Sequence, residues 1–155
     1  MDIDIVKDDN RFVSRACALI FNKDMSKILL FKVEDGRDFY LLPGGRIRFN
    51  ESSIETIKRE ILEEIGYDLD FEFCSIQENF ILKKGKKITQ YGFCYKAIYN
   101  EEIKNEIFTC KDNKNQRFYW VNLKDINSYK ILPESVYDLV NNSNKITHSI
   151  EKMTK

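Results

Sequence analysis

The sequence predicts an α/β (α+β) protein in which a mixed β-sheet carries helices on its faces. Three observations lead there. Short β-rich apolar runs recur along the chain and are separated by turn residues. One long amphipathic helix interrupts them, with Ile54, Ile57, Ile61 and Ile65 repeating at spacings of three and four. A second helix opens near Pro133, a residue suited to a first helical turn, and closes the series.

In order, Phe12–Phe21 (FVSRACALIF) is apolar enough for a strand buried on both faces. Arg15 inside it fits a solvent-facing edge position better than a substrate contact. Asn22–Ser26 turns, and Lys27–Val33 (KILLFKV) returns as the partner strand. Glu34–Asp38 is a turn, and Phe39–Leu42 is a short strand running into Pro43-Gly44-Gly45, where glycine allows close backbone approach. After the helix, Asp70–Leu82 and Lys87–Tyr99 form a long hairpin. Its tip of Lys83, Lys84, Lys86 and Lys87 reads as a solvated turn rather than a phosphate trap. Asn100–Gln116 lacks periodicity and is long enough to cover substrate. Arg117–Val121 is another strand, Asn122–Ile126 a short helical turn, and Pro133–Val140 the closing helix. Residues 141–155 form a polar tail in which Ile146, Ile150 and Met153 suggest an amphipathic turn or two.

The 155 residues fit one domain, residues 1–155, with a core that needs no staples. Lys plus Arg is 25 and Asp plus Glu is 25, so no broad nucleic-acid footprint is expected. The longest apolar run, Ala16–Phe21, is too short to span a membrane, and the acidic start does not resemble a signal peptide. Cys17, Cys74, Cys94 and Cys110 show no metal-binding spacing, and three lie in strand-like runs, which suggests reduced thiols in a cytoplasmic protein. The single histidine, His148, sits in the polar tail, so acid–base work falls to carboxylates or to an activated water.

The stretch Gly45–Tyr67, GRIRFNESSIETIKREILEEIGY, concentrates the chemistry. Ser52 and Glu55 make a capping box, and Gly66 supplies a left-handed stop. On the helix between them, Glu60 and Glu64 stand together beside the apolar stripe, and Glu63 is one turn from Glu60. Arg59 can reach Glu55 and Glu63. An arbitrary glutamate-rich helix is more often a solvated, salt-bridged face. Clustered carboxylates otherwise call for a divalent cation, and hard oxygen ligands select Mg²⁺ or Mn²⁺.

The full spacing decides between these readings. Gly45, Glu51, Arg59, Glu60, Glu63, Glu64 and Gly66 fill all seven fixed positions of G-x5-E-x7-R-E-U-x-E-E-x-G-U, where U is a bulky apolar residue. At ordinary residue usage such a match arises by chance on the order of once in 10⁸ windows or more. The chain therefore resembles the Nudix hydrolase family over most of its length.

That resemblance implies an α/β/α sandwich and Mg²⁺-dependent hydrolysis of the diphosphate in a nucleoside diphosphate linked to another moiety, with Mn²⁺ as a substitute ion. It implies Glu60 and Glu64 as principal metal ligands, joined by the carbonyl of Gly44, and Glu63 as a further ligand or the base that takes a proton from water. Arg59 would orient the glutamates, and Glu51 would support the loop against the helix. Gly44, Gly45 and Arg46 would meet substrate.

Asn50, Thr56, Ile57 and Tyr67 depart from the residues usual at their positions, and Gln90 stands where an acidic residue is expected. Glu78, Glu101, Glu102 and Glu106 are candidates for the missing carboxylate. Two other classes compete with this reading: a non-catalytic nucleotide or nucleotide-sugar sensor, which would be expected to show eroded glutamates, and an isoprenoid-diphosphate isomerase, which would need a cysteine near the metal. The expected partner is a small nucleotide-type diphosphate, without nucleic acid or membrane, and the long hairpin is compatible with a homodimer.

Overall fold

Asn10–Asn22 (β2) runs through the middle of the sheet, and the other elements are ordered around it. The computed structural model describes Met1–Lys155. The remaining strands are Asp4–Lys7 (β1), Lys27–Val33 (β3), Gly44–Arg46 (β4), Glu72–Lys83 (β5), Lys86–Tyr99 (β6), Ile107–Thr109 (β7), Gln116–Asn122 (β8) and Thr147–Thr154 (β9). The helices are Ser53–Glu64 (α1) and Ser135–Asn141 (α2), with a 3₁₀ turn at Leu123–Ser128. The strand order is β7-β8-β3-β2-β6-β5-β9, with β1 and β4 also paired to β2. Pairing is parallel for β2–β6 and β5–β9 and antiparallel elsewhere, so the sheet is mixed.

Alternation along β2 sorts its side chains into two layers. Ala16, Ala18 and Ile20 pack with Ile57 and Ile61 of α1 and with Ile65, which caps its C-terminal end. Leu19 and Phe21 pack with Ile131 and with Val136 and Leu139 of α2. A helix thus covers each face, which is the sandwich arrangement. Helix α1 begins as its sequence dictates: Ser52 and Glu55 complete a reciprocal capping box, and Gly66, at φ +80°, ends it. Lys84 (φ +49°) and Gly85 (φ +78°) make the tight hairpin turn between β5 and β6. No helix is long and apolar enough to cross a membrane.

Five local expectations are corrected. Phe39–Leu42 is no strand; Tyr40 and Leu41 make only isolated bridges, to Ile131 and Phe31. The Gly-Gly stretch, expected as a loop, forms β4 on β2. Residues 100–116 contain β7, and Lys111 N–H donates to the Glu64 carbonyl (2.8 Å), so this segment packs on the end of α1. The tail is a strand, β9, paired with β5 rather than helical. Arg15 lies on a central strand, between β4 and β6, rather than at an edge.

Candidate active site

Arg59 is the hub of the site. Its Nε and Nη2 donate to both oxygens of Glu51 (2.8 and 2.9 Å), and its Nη1 donates to Glu60 (2.8 Å). Glu63 is looser, 3.6 Å away and 44% exposed. Arg59 therefore engages Glu51, Glu60 and Glu63; Glu55, its other expected partner, is spent on the capping box.

Glu51 also accepts from the Thr56 hydroxyl (2.6 Å) and the Arg48 N–H (3.3 Å). The Arg59 guanidinium holds its carboxyl down to about 2. Thr56, unusual at its position, is fully buried and completes this support. Asn50 is explained too: it sits at φ +63°, a left-handed conformation that asparagine tolerates better than most residues.

The carboxylate of Glu60 rests on the backbone of Gly45. A Cβ at Gly45 would fall 2.2 Å from Glu60 Cδ, so no larger residue fits while Glu60 holds this place. Gly44 is tighter still, since its Cβ would meet the Ala16 carbonyl oxygen at 2.1 Å. Glu64 is buried beside Glu60. Burial, then the adjoining Glu60 carboxylate and then Asp112 push its pKa up, while Arg15 opposes them.

Two adjacent carboxylates, one of them buried, are a donor set that a hard divalent cation would relieve, so Glu60 and Glu64 fit the expected Mg²⁺. Glu63 approaches the same Arg59 Nη1 as Glu60 but at a longer distance, and Glu60, Glu63 and Glu64 are not gathered into a three-residue metal cluster. None of the four candidates for an extra carboxylate is among the principal influences on Glu64. Glu78 pairs with His148 (2.6 Å), Glu106 with Lys27, Glu101 borders a separate cavity and Glu102 is exposed. Asp112, whose carboxylate accepts from Cys110, is among the charges that push Glu64 up.

Arg15 and Arg46, cross-strand partners, lead into a cavity of about 320 Å³ on the α2 side of the sheet. Arg11, Arg37 and Lys155 also line it, with the amides of Gln77, Asn79 and Gln90, and no carboxylate does. Arg11 is held by Asp4 (2.6 Å), Arg46 lies 3.3 Å from Asp4, and Arg37 pairs with Asp35 (2.9 Å). Arg15 has no ion-pair partner, and burial pulls its pKa below the usual value, with Glu60 and Glu64 opposing.

Gln77 and Asn79 were not expected here. Their signal is the alternation of polar Ser75, Gln77 and Asn79 along a strand otherwise read for its apolar content. A larger cavity, about 850 Å³, lies beyond the C-terminal end of α1 and holds none of the box glutamates.

The family model for the NUDIX domain matches residues 11–140. The m7GpppN-mRNA hydrolase of Saccharomyces cerevisiae is 30% identical over 129 residues, 80% of this chain and 12% of that protein. The 8-oxo-dGTP diphosphatase of Buchnera aphidicola is 30% identical over 79 residues, 43% of this chain and 61% of that protein. The chain thus spans less than two thirds of either relative. Among solved structures, a MutT protein from Bacillus halodurans superposes with a TM-score of 0.69 at 19% identity, covering 90% of this chain and 89% of that one. The matched stretch holds the whole glutamate helix, Gly45 and β2, and the chain belongs to the NUDIX domain family.

Proposed function

We propose that the chain is a Mg²⁺-dependent hydrolase of a nucleoside diphosphate linked to another moiety. The observation that carries this is the pair Glu60 and Glu64, one seated on Gly45 and clamped by Arg59, the other buried beside it. Glu60 and Glu64 would hold the ion, with the Gly44 carbonyl as a third donor. When bound, the ion supplies charge neutralisation for the phosphoryl oxygens and activation of water.

The residues themselves do the rest. Arg15 and Arg46 draw the diphosphate to the mouth of the cationic cavity. Arg59 fixes the Glu60 carboxylate, and Glu51 fixes Arg59, so the donor positions are set before substrate arrives. Water attacks one phosphorus, its proton passes to the exposed Glu63 carboxylate, and the bridging P–O bond breaks to leave two phosphorylated products. No nucleophilic side chain is needed. The yeast relative, an m7GpppN-mRNA hydrolase, and the Buchnera relative, an 8-oxo-dGTP diphosphatase, support this reading.

The test is a panel of nucleoside triphosphates, dinucleoside polyphosphates, ADP-ribose, NADH and nucleotide sugars with Mg²⁺ or Mn²⁺, read as phosphate after phosphatase treatment. Turnover should fall at least about 100-fold in Glu60→Gln and Glu64→Gln, with circular dichroism unchanged, as expected for loss of a group stabilising developing charge. Full activity in both variants would sink the proposal, and wild-type nucleotide binding without turnover would favour a sensor.

A further inference from the structure

Three of the four cysteines meet on the α2 face of the sheet, one from each of three neighbouring strands. Cys17 of β2 and Cys94 of β6 are Cα partners in the parallel ladder. Directly paired residues on neighbouring strands lie about 4.8 Å apart, inside the roughly 4.4–6.8 Å between Cα atoms that a disulfide spans. Cys74 joins them where the β5–β6 register shifts between Phe73 and Ser75, and its thiol donates to the Cys94 carbonyl at 3.3 Å. Cys94 lies between the other two. Burial pushes its thiol above the usual range, and contact with the Cys17 and Cys74 thiols adds to that. The three sulfurs are not gathered as metal ligands are.

Access separates them. Cys74 and Cys94 are sealed in the core, whereas Cys17 is half-buried and lines the cationic cavity. Reactive thiols occupy such partly exposed, electropositive surroundings. Arg15, two residues along the same face and without an ion-pair partner, responds to Cys17 more than to Glu60 or Glu64. We propose that Cys17 and Cys94 are a peroxide-responsive pair: a hydroperoxide oxidises Cys17, and Cys94 closes on it as a disulfide. The Cys17 sulfur attacks a peroxide oxygen, the O–O bond breaks, and the thiol proton leaves with the departing oxygen as water or an alcohol. The sulfenic acid then lies against Cys94. Attack by the Cys94 sulfur forms the S–S bond as the S–O bond breaks, and the Cys94 proton completes a molecule of water. The two thiols lose two electrons and the peroxide gains them.

The bond would bear on the site through β4. Gly44 is the partner of Cys17 on the side of β2 opposite β6, and a Cβ on Gly44 would fall 2.8 Å from Cys17 Cα. Drawing Cys17 toward β6 therefore draws it away from Gly44, whose carbonyl is the proposed third donor to the ion. This effect on hydrolysis rests on the diphosphate-hydrolase reading above; the thiol pair does not.

Titration of the reduced full chain with hydrogen peroxide, followed by thiol alkylation, intact mass and peptide mapping, tests the pair without turnover. Wild type should lose two hydrogens and two alkylation sites, with Cys17 linked to Cys94, and dithiothreitol should restore both. Cys94→Ala should stop at a sulfenic acid on Cys17, captured by dimedone; should it fail to fold, Cys94→Ser carries the same expectation. Cys17→Ser should form no disulfide. A Cys74–Cys94 bond in wild type, any disulfide in Cys17→Ser, or no disulfide in wild type would overturn the proposal. Oxidised wild type should also turn over the best panel substrate about 10- to 100-fold more slowly, the scale of a misplaced group, and recover on reduction. Unchanged turnover in the oxidised chain would overturn the link through Gly44. If no panel substrate is turned over, the mass readout still decides the thiol pair, so either idea can fail alone.

Discussion

At the scale of single residues, Glu51 shows how a side chain distant from substrate can set the geometry of the site. It binds neither phosphate nor metal in the proposed mechanism, yet it takes both ends of the Arg59 fork and the hydroxyl of Thr56. Its pKa falls from an ordinary 4.5 to about 2 on folding. A carboxyl whose pKa is lower in the folded state stabilises fully above its unfolded value and loses that contribution as pH falls through the folded one. Glu51→Gln should therefore melt at a lower temperature than wild type near neutrality, and the gap should close between about pH 4.5 and 2. Thermal melts across that range check it; a gap independent of pH would show that the ion pair contributes nothing. Gly45 makes the complementary point. Its value is the absence of an atom, since any side chain would stand where the Glu60 carboxylate lies.

At the scale of elements, β9 does two jobs. It closes one end of the sheet by parallel pairing with β5, and its Glu151 accepts the N–H groups of Glu134 and Ser135 at 3.2 and 3.0 Å, holding the start of α2. Glu151→Ala should cost about 1 kcal/mol in urea unfolding, the usual effect of losing a helix cap. A loss under a quarter of that would assign the start of α2 to packing alone.

The element scale also marks what was legible in the sequence. Helix α1 could be read residue by residue, because its cap, its apolar period and its stop are all local signals. The strand β9 could not. Its side chains alternate strictly, but Ile150 faces solvent (62% exposed) while Glu151 turns inward to meet a helix that sequence cannot place beside it. Glycine-rich β4 was invisible for a related reason: its strand character comes from the neighbouring β2, against the preference of its own residues. The metal-site candidates sit on one contiguous stretch, so local spacing alone singles them out. The cavity lining is drawn from seven separate segments, and only its inward phase on β5 hinted at it.

At the scale of the whole molecule, the two halves of the site have different origins. The glutamate pair belongs to one helix and its preceding loop. The cavity floor exists only where distant segments meet: Cys17 and Gln77 touch across 60 residues of chain, and Ser75 and Thr147 across 72. Closing loops of that length is entropically slow relative to winding a helix. When the denatured chain is diluted into buffer, the α1 circular-dichroism signal should recover ahead of nucleotide binding; simultaneous recovery would mean the long-range strand pairs form in the first event. During that interval the carboxylate helix would exist without a selective pocket beside it. On the proposed function, a chain whose α1 has formed before β2 closes on β6 would carry the carboxylates without the cavity that selects among substrates.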